Sequence, residues 1–168
     1  MTRTLAIAAL LACSMYSSSA WAEEAYFRTP SKNIYCAYFD YDGRPEVRCD
    51  IRSFTSTMGK RPADCDLDFG QAFAVRSDSR RGAAICHGDT VLDPNARALP
   101  YGQTWRWRDL SCASSPAGLR CANAKGAGFE ISREKRTACS IRSVLVSPAV
   151  PRPTVRMPCK DTVESSRK

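Results

Sequence analysis

One histidine, His87, stands in the whole chain. Any acid–base dyad that needs imidazole must be built on it, and a zinc site would have no second histidine to call on. No two cysteines stand in a Cys-x-x-Cys arrangement, so the spacing of zinc ribbons and thioredoxin-like redox sites is missing. There is no Gly-x-Ser-x-Gly elbow and no complete phosphate-loop or dinucleotide fingerprint. After the first twenty-two residues no long stretch repeats with helical period, and no apolar run is long enough to span a bilayer. These gaps remove the common sequence routes to nucleotide chemistry, metal catalysis and membrane spanning.

What the N-terminus does contain points to export. Arg3 precedes the apolar run LAIAALLACSM (Leu5 to Met15), and Ala20-Trp21-Ala22 fits the small-x-small rule for signal cleavage. Residues 1–22 are thus expected to be a signal peptide, with the mature chain starting near Glu23 and working in the periplasm or outside the cell. Lipid anchoring at Cys13 is the weaker alternative, because Leu11 just before Ala12 fits a lipoprotein signal poorly.

The chain has nine cysteines, and removal of Cys13 leaves Cys36, Cys49, Cys65, Cys86, Cys112, Cys121, Cys139 and Cys159. An even number in an exported chain reads as a disulfide framework, with about 105 connectivities open to it. Geometry selects one pair. Asp42-Gly43 is a strong two-residue hairpin signal, and strands leaving it pair residues whose numbers sum to 85. Cys36 then faces Cys49 on a non-hydrogen-bonded pair, where Cα atoms are about 4.5 Å apart and a disulfide can close. Pro45 falls opposite Asp40 on another such pair, where its missing N–H costs the ladder little. Cys112 and Cys121 bracket a turn with Pro116 and Gly118, for which a type I turn with a left-handed glycine would offset the register by one residue. Cys65–Cys86 and Cys139–Cys159 follow only by taking nearest neighbours.

Short segments rich in Tyr, Phe, Val and Ile recur between turn signals: NIYCAYF, EVRCDI, QAFAVR, AAIC, LSCA, LRCAN and GFEIS. The expected fold is mainly β, a disulfide-stapled antiparallel sandwich or open barrel of hairpins over residues 23–146. From residue 147 the chain is proline-punctuated and basic. Residues 23–132 hold fifteen basic and fourteen acidic side chains, whereas residues 133–168 hold nine basic and three acidic. An irregular basic tail is expected over 147–168, including Arg152, Arg156 and Lys160. Such a tail suits anionic envelope polymers or a lipid surface, or serves only as a solubilising terminus. Export disfavours nucleic acid as a partner, and the composition leaves a protein partner open.

Four stretches could carry chemistry or binding. The Lys125-Gly126-Ala127-Gly128 stretch resembles a phosphate cradle, but alternating residues on both sides make it a hairpin loop rather than the strand-to-helix junction that phosphate binding needs. His87 and Asp89 could form part of a hydrolase, though a histidine at a turn beside a disulfide is the plainer reading. Asp64, Asp66 and Asp68 would share one face of a strand, as a glycosidase pair or weak cation site requires, but more simply as solvated charge. In WRWR, Trp105 and Trp107 face one way on a strand and Arg106 and Arg108 the other. The rings fill a core, or else they form a stacking platform.

The strings FRTPSKNIYC, VRCDI, CHGDTVLD, LPYG and LRCANAKGAGFEISR, in that order, resemble a bacterial secreted cysteine-rich family known only as a domain of unknown function. The resemblance covers roughly Tyr26 to Glu134, and Lys32 stands where that family usually has glycine. It implies six framework cysteines, from Cys36 to Cys121, and an exported location, but no activity, cofactor or catalytic residue. With one histidine, cysteines expected to be oxidised and no complete catalytic motif, the chain is expected to be a non-enzymatic binding or structural module of the cell envelope. A small hydrolase on His87 and Asp89, or an inhibitor of an exported enzyme, is the alternative.

Overall fold

The structure, a computed structural model, describes residues 25–56 and 58–140. The signal segment with Cys13, and the basic stretch with Arg152, Arg156, Cys159 and Lys160, lie outside the described residues.

The described chain is all β. Strands β1 (Tyr26–Arg28), β2 (Ile34–Tyr41), β3 (Arg44–Ile51), β4 (Asp68–Arg76), β5 (Ala83–His87) and β6 (Arg97–Ala98) form one sheet, in the order β5-β4-β3-β2-β1-β6. Strands β7 (Thr104–Trp107), β8 (Leu110–Ser115), β9 (Gly118–Asn123), β10 (Gly128–Ile131) and β11 (Arg136–Cys139) form the second, a simple meander. The sheets are open, and they pack face to face as a sandwich.

Alternation along the strands determines which side chains enter the core. In β9, Leu119, Cys121 and Asn123 are buried while their neighbours are only partly so. Register then aligns whole rows. One inward row of the first sheet runs Phe27, Cys36, Cys49, Phe73, Ala84, and one of the second runs Trp105, Cys112, Cys121, Phe129, Ala138. The two rows meet along their length. Phe27 packs on Trp105 with ring centroids 5.1 Å apart, Cys49 Sγ lies 3.7 Å from Cys121 Sγ, and Phe73 packs on Phe129 at 5.9 Å. The middle of the core is two disulfides in contact, with aromatic rings on either side.

The Asp42-Gly43 hairpin has the expected register, Tyr41 opposite Arg44 through Cys36 opposite Cys49. The Cys36–Cys49, Cys65–Cys86 and Cys112–Cys121 disulfides are all present. Cys139 is also disulfide-bonded, and its expected partner, Cys159, is outside the described residues. The second hairpin requires a correction. Ser115 pairs directly with Gly118 and Cys112 directly with Cys121, so a tight Pro116-Ala117 turn replaces the expected bulge and no offset arises. A second difference is topological. The β1–β6 pair is parallel, because the connection after β5 crosses the sheet from one edge to the other before the chain pairs again.

That connection, residues 88–96, is held as a strap over the outer face of the first sheet. Asp50 on β3 is 2 % exposed, and its Oδ2 accepts from the Val91 amide and the Thr90 hydroxyl, both at 3.0 Å. Arg48, on the same face, donates to both oxygens of Asp50, and to the carboxylate and backbone carbonyl of Asp89 at 2.7 Å each. The FRTPSKNIYC string makes the β1–β2 turn. Lys32 donates its amide to the Thr29 carbonyl, and Asn33 ties the turn to Ser53 through two hydrogen bonds of 3.0 Å.

Lys32 has φ of +55°, a left-handed conformation that a Cβ disfavours and glycine accepts. Lys32→Gly is expected to raise stability by about 0.5–1 kcal/mol, the left-handed penalty less the extra chain entropy that glycine brings. A denaturant midpoint at unchanged slope checks it, and a lowered midpoint would contradict it.

Candidate functional site

The residues singled out in the sequence are sorted by the sandwich into structural and exposed sets. Trp105 is 2 % exposed, in the core between Phe27 and Cys112, so it presents no ring face to a ligand. Trp107 is half-buried and packs on Tyr38, with centroids 4.5 Å apart. Arg108 is exposed beyond the strand end, 3.2 Å from the Asp40 carboxylate. Arg106 points outward from β7 and is exposed.

His87 and Asp89 do not assemble as a catalytic pair. The His87 ring nitrogen Nδ1 contacts the Asp89 backbone carbonyl at 2.9 Å, while the Asp89 carboxylate is held by Arg48. Hydrogen bonding from Arg48, reinforced by its charge, keeps the Asp89 carboxyl below the usual range, which suits an anchor and not a base at neutral pH. Asp64, Asp66 and Asp68 are exposed, and only Asp68 lies in a strand, so the alternation expected to align the three on one face is not there. The sulfurs of Cys36, Cys49 and Cys121 lie within 4.8 Å of one another, but a metal would need thiolates and these atoms are bonded in disulfides.

Basic side chains come together on the outer face of the second sheet. Where the inward residues of β7, β8 and β9 are large, the outward ones form two short rows, Thr104–Ala113–Arg120 and Arg106–Ser111–Ala122. Small side chains in the middle leave a shallow groove of about 420 Å³, and Arg106, Arg120 and Lys125 line it. No carboxylate is among the residues that line the groove itself, although Glu130 on β10 pairs directly with Arg120 at its margin. Thr104 and Ser111 supply hydroxyls to the same surface. Arg106 and Arg120 were placed by strand alternation, which any period-two reading can follow.

Lys125 reaches the groove because the β9–β10 loop is held rigidly. The Asn123 side chain, 5 % exposed, accepts from the amides of Lys125 and Ala127, at 3.0 Å each, through its Oδ1. Its amide nitrogen donates to the carbonyls of Arg76 at 2.9 Å and Ser79 at 2.8 Å, fastening the loop to the end of β4. Gly126, with φ of +88°, completes the turn. The stretch that resembles a phosphate cradle is therefore a hairpin loop, and its contribution to the surface is the Lys125 side chain. The sequence signal for this was the asparagine closing a strand, a residue that readily satisfies backbone amides two and four positions on.

Among the described residues no helix is long and apolar enough to cross a membrane. Comparison with known families gives a match over residues 6–138 to a family of unknown function (DUF6636), which spans most of the chain. The chain belongs to that family. No curated protein and no solved structure matches it.

Proposed function

We propose that this family member is a non-enzymatic binding module of the cell envelope that holds an anionic polymer against the outer face of its second sheet. One observation carries the proposal: Arg106, Arg120 and Lys125 line one groove on the outer face of the second sheet. Cations on one concave surface attract an anionic chain, and hydroxyls beside them offer hydrogen bonds that fix its position. The groove is shallow and floored by alanines, so it suits a chain lying along the sheet better than a small molecule, which needs enclosure. The excess of basic residues in 133–168 would add a second, less specific attraction for the same ligand. Export, which the N-terminal sequence indicates, and the disulfides both suit an oxidising compartment.

The test compares full-length protein with an Arg106→Glu/Lys125→Glu variant in binding to an immobilised polyuronate and to polyphosphate, at low and physiological salt. Expected is at least a tenfold loss of affinity for the preferred polymer at low salt, together with a shallower salt dependence, since two screened attractions become repulsions. Equal binding by both proteins would sink the groove reading. If removal of the chain after Ser147 alone abolished that binding, the basic tail would be the contact. Preference for anionic vesicles over both polymers would make lipid the ligand.

A further inference from the structure

The two core disulfides are not merely close. Cys36–Cys49 belongs to the first sheet and Cys112–Cys121 to the second, and Cys49 Sγ touches Cys121 Sγ at 3.7 Å across the interface. All four residues are 0–1 % exposed, so solvent does not separate them. Disulfide exchange proceeds by attack of a thiolate on a disulfide sulfur, and these sulfurs need approach by only about 1.7 Å to reach bonding distance. We infer that the half-reduced protein exchanges these bonds and moves its disulfide from within a sheet to between the sheets.

A dithiol reductant delivers two electrons and two protons to Cys36–Cys49, leaving both as thiols and itself oxidised to a disulfide. Cys49 loses its proton and attacks Cys121 Sγ; the Cys112–Cys121 bond breaks, and Cys112 leaves as a thiolate that takes up the proton. The product holds Cys49–Cys121 as its inter-sheet bond, with Cys36 and Cys112 as free thiols. Cys49 is the attacking residue because it is the sulfur in contact with Cys121. Its new bond closes a loop of 72 residues where the old one closed 9, so the isomer constrains the unfolded chain far more. Loss of one disulfide to an envelope reductant would thus leave the sandwich tied across its middle.

The experiment uses full-length Cys36→Ser, which leaves Cys49 without its partner. Protein prepared under oxidising conditions is acid-quenched, alkylated in denaturant at acid pH, and mapped without reduction. Expected is a Cys49–Cys121 peptide pair with the alkyl group on Cys112 in the majority of chains. Alkylation of Cys49 with Cys112–Cys121 intact would overturn the inference. Should that variant not fold by circular dichroism, Cys112→Ser gives the mirror test, with Cys49–Cys121 formed and Cys36 alkylated. Cys65→Ser/Cys86→Ser protein under limiting dithiol, from which the Cys65–Cys86 bond, exposed at Cys86, is removed, decides the matter with the core cysteines intact. Labels accumulating together on Cys36 and Cys112 support exchange, whereas labels on Cys36 with Cys49, or on Cys112 with Cys121, refute it.

Discussion

Asp50→Ala is expected to lower stability by about 3–5 kcal/mol, because it leaves the buried guanidinium of Arg48 without its bidentate partner. The magnitude follows from burial: Arg48 is 7 % exposed and Asp50 2 %, so water cannot replace the lost carboxylate. Asp89 still touches Arg48 but is itself exposed, and it cannot accept from Val91 and Thr90 in place of Asp50. The strap over the first sheet is therefore expected to loosen first, visible as faster amide exchange at Val91 than in β8 or β9. Against a typical domain stability of about 5–15 kcal/mol the loss is large enough to shift the melting midpoint by many degrees. A double substitution, Arg48→Met/Asp50→Leu, should recover much of the loss by removing both charges, although Val91 and Thr90 remain without their acceptor. A single variant as stable as wild type would mean that the network contributes nothing to the fold.

Trp105→Ala should cost a similar amount, about 3–5 kcal/mol, for a different reason. The ring occupies the end of the central layer beside Phe27 and the Cys112–Cys121 disulfide, and alanine would leave a void there that two sheets, each stiffened by its own disulfide, cannot readily close. Trp105→Phe should cost much less, since the indole nitrogen has no hydrogen-bond partner among the described residues and phenylalanine removes that buried donor. The next residue on the strand behaves oppositely. Arg106→Ala should stay within about 0.5 kcal/mol of wild type in stability, as exposed side chains without close partners usually do, while weakening polymer binding. One strand thus carries core packing inward and ligand contact outward, and chemical denaturation of the three variants separates the two roles.

The parts of this molecule legible in the sequence are those that depend on local geometry. Asp42-Gly43 set the register of β2 and β3 and hence the Cys36–Cys49 bond, because a two-residue turn leaves one pairing only. Alternation located most of the strands and the outward direction of Arg106. Where long-range contact decides, the sequence was silent. Nothing near Arg48 and Asp50 shows that a strap from forty residues onward will cover them, so two charges in a strand read as solvent-facing. The same holds for Arg136, whose guanidinium lies 3.6 Å over the Phe54 ring and donates to Gly70 and Ser56. It thereby joins the second sheet to β4 and to the loop before it, a role that nothing beside it in the sequence signals. The groove was half legible: period two places its arginines outward, but their convergence with Lys125 depends on how Asn123 fastens its loop to β4.

The central claim is that an anionic chain lies along the outer face of the second sheet. Its most direct test is amide chemical-shift mapping of isotope-labelled full-length protein, titrated with a short oligomer of the preferred anionic polymer. Saturable shifts are expected, concentrated at Thr104, Arg106, Ser111, Arg120 and Lys125, with the inward residues Cys112 and Leu119 unmoved. Shifts confined to residues after Ser147, or to the strap at 88–96, with the groove residues silent at saturation, would contradict it.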